Sequence, residues 1–272
     1  MSLAPPNPFV IEAMVEGVSG EVYVNDIPVG RVAPDPGNPR LGLSINHLIR
    51  NGRNYAELVL DPGDHPSAAR QPTSTRAADG VWGRVKLSRY AMGAAVGEAA
   101  PLEVLGHATF DGDGQTAPFP FALTAEATVA SPFPPWSWER AEPLRLGARL
   151  TAEVMAFLAD YRAALAWRDI ARENALSAIP REEVCVAFGR DPRATSADVN
   201  ALLTDEWSRA DWGVDPIEEA DLDLRLVAEG RMVQCIRRDW SEAIRSTYDS
   251  TGGRMTVPTM LGRLDGRLQW IR

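Results

Sequence analysis

Several residue types are scarce in this chain of 272 residues, and each shortage closes a line of chemistry. Lysine occurs once, at Lys86, against 27 arginines. A Schiff-base lysine, or the lysine of a phosphate-cradling G-x-x-x-x-G-K-[ST] loop, has only Lys86 to draw on, and Arg84-Val85-Lys86 is not a glycine-rich context. There are three histidines, His47, His65 and His107, and none follows residue 107. The two cysteines, Cys185 and Cys235, have no C-x-x-C partner, which fits packed thiols in a cytoplasmic protein better than a disulfide framework. No apolar run approaches the roughly 20 residues that span a bilayer, and residues 1–8 lack the basic and apolar regions of a secretory signal. A soluble chain is expected. With a formal net charge of −9 and scattered arginines, neither nucleic acid nor an anionic membrane is an expected partner.

What is present is unevenly spread. Seventeen of the 21 prolines lie at or before Pro143, and 14 of the 22 glycines lie there too. Turns between strands consume Pro and Gly, whereas helices and central strands exclude Pro, so the shift marks a change of secondary-structure class. The reading is two domains: an all-β sandwich over 1–130, a Pro/Trp-rich linker over 131–146, and an α+β domain over 147–272. The linker carries Ser131-Pro132-Phe133-Pro134-Pro135-Trp136-Ser137-Trp138, a stiff spacer whose tryptophans are expected to pack on the chain's own domains.

In the first half, Phe119, Phe121, Leu123, Ala125, Ala127 and Val129 alternate with Pro120, Thr124, Glu126 and Thr128, the period of a half-buried strand. Further strands are expected at 21–24, 55–60, 81–90 and 102–110, with turns at 34–39, Asn51-Gly52, 61–64 and 111–114. Val22-Tyr23-Val24-Asn25, then Val29-Gly30, then Ile45-Asn46-His47-Leu48-Ile49-Arg50-Asn51-Gly52-Arg53-Asn54 leading into 55–60, resembles the jelly-roll accessory modules attached to glycosidases. The resemblance implies a sandwich that buttresses a neighbour and does not itself imply sugar binding.

The second half changes period. Leu150, Val154, Phe157, Leu158, Tyr161 and Leu165 form the stripe of an amphipathic helix, with Thr151 as its expected N-cap. A short helix is expected from Pro180 to Gly189 and another from the capping-box-like Thr195-Ser196-Ala197-Asp198 through Trp207. Alternation over 221–226 and 232–236 predicts antiparallel strands. Asp239-Trp240-Ser241-Glu242 predicts a helix to about Tyr248, and Asp265-Gly266 predicts a two-residue hairpin joining 255–264 to 267–272, with Pro258 demoting the first strand. Helices first, then an antiparallel sheet closing on Asp265-Gly266-Arg267-Leu268-Gln269-Trp270, is similar to the cone-shaped NTF2-like or SnoaL-like α+β fold. Enzymes of that group use an Asp or His base with a Tyr or Asp donor; by that likeness Tyr161, Asp169 and Asp211 are the catalytic candidates, and Trp207, Trp212 and Tyr248 the candidate pocket residues.

No metal site or cofactor is expected. Asp111-Gly112-Asp113-Gly114 lacks the later Glu of a calcium loop and reads as a β-turn; His65, close to Asp61, has no second histidine at ligand spacing and reads as a solvated loop residue. No Gly-x-Ser-x-Gly occurs, and both cysteines lie in the half without histidine. The expected function is therefore non-catalytic binding or scaffolding, with a protein, a small molecule or a second copy of the chain as partner. The alternative is a small-molecule lyase or isomerase with its acid–base site in the pocket of the α+β domain.

Overall fold

In the computed structural model, residues 6–34, 38–96 and 99–272 are described; the centre of the turn expected at 34–39 lies outside them. Strand accounts for 37% and helix for 26%, so the chain is sheet-rich α+β. It divides into two compact units, 1–136 with 187–189, and 137–186 with 190–272.

The described residues of the first unit hold ten strands: β1 (Phe9–Glu16), β2 (Gly20–Val24), β3 (Ile27–Val32), β4 (Arg40–Ser44), β5 (Gly52–Leu60), β6 (Ser74–Ala77), β7 (Trp82–Arg89), β8 (Glu103–Asp111), β9 (Thr116–Phe119) and β10 (Phe121–Val129). They form two four-stranded sheets, ordered β4-β1-β7-β8 and β10-β5-β2-β3, and the pair β6-β9; every pairing is antiparallel. The apolar faces of the two large sheets meet. Ile11 and Ala13 of β1 and Val85 and Leu87 of β7 are buried on one side, and Val22 and Val24 of β2 and Ala56, Leu58 and Leu60 of β5 on the other. Gly83 of β7 lies under Leu60 and Leu58, where a Cβ would come within 2.8 Å of a Leu60 methyl. On the opposite side of β1 and β7, Glu12 accepts from Lys86 Nζ at 2.6 Å and from the Tyr90 hydroxyl at 2.9 Å.

The strand expected over 119–129 breaks at Pro120, which has no N–H to continue a ladder, so β9 and β10 pair with different partners. Alternation survives in β10, where Ala125, Ala127 and Val129 are buried and Thr124, Glu126 and Thr128 exposed. Asn25 and Asn54, from the two segments that resemble the jelly-roll modules, are buried against each other. Asn25 Nδ2 donates to Asn54 Oδ1 at 2.9 Å and to the Leu48 carbonyl at 2.8 Å, while Asn54 Nδ2 donates to the Arg50 and Gly52 carbonyls. The loop at 111–114 is laced by carboxylates: Asp113 accepts from Gly80 N and Asp79 accepts from Gly114 N.

The rest of the chain runs through helices α1 (Ser137–Arg140), α2 (Ala148–Ala166), α3 (Ile170–Leu176), α4 (Ala178–Phe188, all but its last two residues in the second unit) and α5 (Pro192–Ser208), then strands β11 (Leu222–Val227), β12 (Met232–Arg237), β13 (Ile244–Arg245), β14 (Thr256–Val257), β15 (Thr259–Leu264) and β16 (Arg267–Trp270). The sheet order is β11-β12-β15-β16, with β13-β14 a separate pair. Val154, Leu158, Tyr161 and Leu165 of α2 share a core with Leu203 and Trp207 of α5 and with Leu222, Val233 and Leu261 of the sheet. Trp136 is buried in the first unit, its Nε1 donating to the Ile49 carbonyl, and Trp138 is buried in the second.

Several boundaries differ from those expected. Helix α2 starts four residues earlier than a Thr151 cap allows, because Gly147 takes the cap position and its carbonyl already receives Thr151 N. Asp191, not Thr195, caps α5: its carboxylate accepts from Ala194 N at 2.7 Å and Pro192 fills the first helical position. Helix α3 was not expected at all. The helix expected from Asp239 to Tyr248 is replaced by a turn and β13. Asp239 does bind Ser241 N, as an N-cap would, but Trp240 stands at φ 66 and Ile244 pairs with Val257, which commits the segment to extended structure. The 255–264 strand splits at Pro258 into β14 and β15. The Asp265-Gly266 hairpin forms with both residues at positive φ, 49 and 73.

Candidate functional site

A cavity of about 410 Å3 opens in the second unit among α2, α3, α4, α5 and the strands β14 and β16. Its walls are apolar, built by Pro180, Val184, Val199, Leu203, Val257 and Trp270, and the exposed Leu202 and Arg190 stand at its rim. Its volume falls in the range of small-molecule sites.

Away from the rim the ionisable lining is concentrated on α2, α3 and α4, while Thr195 of α5 and Thr256 of β14 also line the cavity. Tyr161, placed inward by the apolar stripe of α2, is 2% exposed and its ring lies 5.1 Å from that of Trp270. Helices α2 and α3 turn back on each other through Arg168 at φ 61, and Asp169 caps α3 by accepting from Arg172 N. That hairpin brings Glu173 beneath Tyr161, whose hydroxyl donates to Glu173 Oε1 over a long 3.4 Å. Residues 173, 177 and 181 follow at intervals of four, so the nearly continuous α3–α4 helix presents them on one side. Arg181 Nη2 reaches Glu173 Oε1 at 3.1 Å and Oε2 at 2.8 Å, and Nη1 donates to Asn174 Oδ1. Ser177, between them, is 3% exposed, and its Oγ is buried without a partner among the described residues.

Burial, and after it the Glu173 carboxylate, push the Tyr161 phenol far above its usual range, so it stays a neutral donor at any working pH. Glu173 is held by the Arg181 fork. The floor is thus a self-balanced ion pair with a phenol above it and one unsatisfied hydroxyl.

Of the residues expected at a site, Tyr161 lines this cavity. Asp169 is exposed and occupied as the cap of α3; Asp211 is exposed and ion-paired with Arg209 at 3.1 Å; neither lines it. Trp207 belongs to the core, Trp212 donates from Nε1 to the Leu165 carbonyl at 3.4 Å, and Tyr248 is exposed with the Arg254 guanidinium 4.1 Å over its ring. Glu173, Ser177 and Arg181 were missed, although their four-residue spacing is a readable signal. Cys185 and Cys235 are buried and not joined to each other, and burial pushes the Cys235 thiol up, away from thiolate chemistry.

A second cavity of about 290 Å3 is lined by Asp221, Arg237, Arg238, Asp239 and Arg245. Arg237 lies 3.6 Å from Asp221, and Arg245 lies 3.8 Å from Asp239 and 2.9 Å from Asp215, so two of its three arginines face carboxylates. Among the described residues no group of three or more His, Cys, Asp or Glu side chains is arranged to hold a metal ion, and no helix is long and apolar enough to cross a membrane. Comparison with protein-family models, with curated proteins and with solved structures finds no match to this chain.

Proposed function

We propose that this chain is a non-catalytic binding protein that takes a small, largely apolar ligand into the cavity of its second unit. The observation that carries this reading is an apolar-walled cavity whose ionisable floor groups are already paired with one another. Acid–base catalysis needs a group that can trade a proton near the working pH. Tyr161 holds its proton too firmly, and both oxygens of Glu173 are taken up by Arg181, so the floor favours holding a ligand over transforming one.

Titration with N-phenyl-1-naphthylamine, an uncharged probe whose emission rises in apolar surroundings, tests it. Saturable binding to the native chain, lost on filling the cavity by Val199→Trp, is the expected result. Binding indifferent to Val199→Trp would overturn the assignment, and so would turnover of any small substrate that Tyr161→Phe abolishes.

We also infer that the two units are separate domains, an all-β sandwich and an α+β domain of the NTF2-like kind. Each unit having its own apolar core supports the split, and the order of helices before an antiparallel sheet supports the second assignment. Arg145 is exposed, so limited trypsin digestion is expected to cut after it and leave two resistant fragments. One resistant core with no cut between 131 and 146 would argue for a single domain.

A further inference from the structure

We infer that the ligand of the second unit's cavity meets its polar floor through an uncharged oxygen group, an alcohol, ketone or ester, and not through a carboxylate or an amine. This rests on the binding reading above. The inference begins with what is already spent. Arg181 directs Nη2 at both oxygens of Glu173 and Nη1 at Asn174, so the guanidinium on the floor is engaged on both arms. An entering carboxylate would lose its hydration without gaining an unpaired cation, and a buried ion without a partner is strongly disfavoured. An ammonium group meets the converse difficulty, because the one buried carboxylate there already has its countercharge. Arg190 stands at the rim, exposed, where water and salt screen its charge.

What remains unsatisfied is Ser177. Ser177 is a lining residue of the cavity, four positions from both Glu173 and Arg181, and its buried Oγ has no hydrogen-bond partner among the described residues. A serine hydroxyl offers one donor and two acceptor sites, so an alcohol can give or take a hydrogen bond there and a ketone or ester can take one. Leaving such a group unmatched is costly, and a ligand oxygen that matches it recovers that cost on binding. The remaining walls are mostly hydrocarbon, with Thr195 and the exposed Thr256 the other hydroxyl residues among them.

The experiment is displacement of N-phenyl-1-naphthylamine at pH 7 by four eight-carbon competitors: 1-octanol, 2-octanone, octanoate and octylammonium. Octanol and octanone are expected to compete at least about tenfold more tightly than either ion. Ser177→Ala should weaken octanol by about five- to tenfold and leave octanoate unchanged. Glu173→Gln strips Arg181 of its countercharge and should tighten octanoate at least about tenfold; if that variant does not fold, the Ser177→Ala comparison decides alone. Equal competition by all four, octanol binding indifferent to Ser177→Ala, or probe binding that none of the four displaces would overturn the uncharged-head assignment while leaving the cavity a binding site. Failure of the probe itself to bind overturns both.

Discussion

Arg181 and Glu173 meet with Nη2 2.8 and 3.1 Å from the two carboxylate oxygens, where their side chains are only 12% and 4% exposed. A pair this buried is dangerous to break and cheap to replace. Arg181→Met should destabilise the chain by about 3–5 kcal/mol, because it strands the Glu173 charge, whereas Arg181→Met combined with Glu173→Leu should recover most of that loss. Urea unfolding of the two variants at pH 7 measures both; a single variant within about 1 kcal/mol of the native chain would mean the pair is effectively solvated.

In the first unit the Asn25–Asn54 contact ties two turns together. Asn54 uses both faces of its amide, accepting from Arg50 N and Asn25 Nδ2 and donating to two carbonyls. Asn54→Ala leaves several buried groups unmatched and should cost at least about 2–3 kcal/mol in denaturant midpoint analysis. Asn25 stands at φ 51, so Asn25→Gly keeps the backbone accessible and isolates the loss of its hydrogen bonds.

Glu242 gives the chain an unusual pH dependence. Burial raises its carboxyl from the usual 4.5 to about 7, against the pull of Arg225, and one of its oxygens is buried without a partner among the described residues. The unfolded chain releases this proton near 4.5 and the folded chain near 7, so stability from this group is complete below 4.5 and is lost as pH rises between those values. Asp239, hydrogen-bonded by Ser241, and Asp249, by Thr251, are held below their usual range and act in the opposite sense, losing their contribution as pH falls below about 4. Glu242→Gln should therefore raise the melting temperature at pH 8 and leave it unchanged at pH 4. A variant with the same shift at both pH values would show that the carboxyl does not titrate in this way.

Two glycines at positive φ separate strain from collision. Gly17 stands at φ +69, and a Cβ there would lie 2.2 Å from the Gly80 carbonyl oxygen; Gly52 stands at φ +92 with nothing near its missing side chain. Gly52→Ala should cost about 1–2 kcal/mol from backbone strain alone. Gly17→Ala should cost clearly more, since backbone must move to make room, and thermal melts of the pair read the difference.

Where a pattern was carried by residues close in sequence, it could be read directly. The alternation of β10, the leucines of β11, the stripe of α2 and the Asp265-Gly266 turn all declare themselves within a dozen residues. Helix α3 did not, because Ala171, Arg172, Glu173, Asn174 and Ala175 leave it only Ile170 and Leu176 as large apolar residues. With α3 unseen, the helical reading stopped at Leu165 and resumed at Pro180, and the interval that carries Glu173 and Ser177 fell between. Tyr161 could be singled out from the stripe, yet its partners depended on how the α2–α3 hairpin closes. At Asp239 the local signal was ambiguous, since the same hydrogen bond to Ser241 begins a helix or a turn. Pairing with β14, thirteen residues away from Ile244, resolved it.

The solitary lysine bears on how this chain can be handled in the laboratory. Lys86 Nζ sits 2.6 Å from Glu12, with its side chain 18% exposed. Amine-directed esters and cross-linkers, which need an accessible uncharged amine, will find that one lysine shielded, and coupling through side-chain amines will be slow. Attachment chemistry for this protein is better aimed at carboxylates or at its many guanidinium groups.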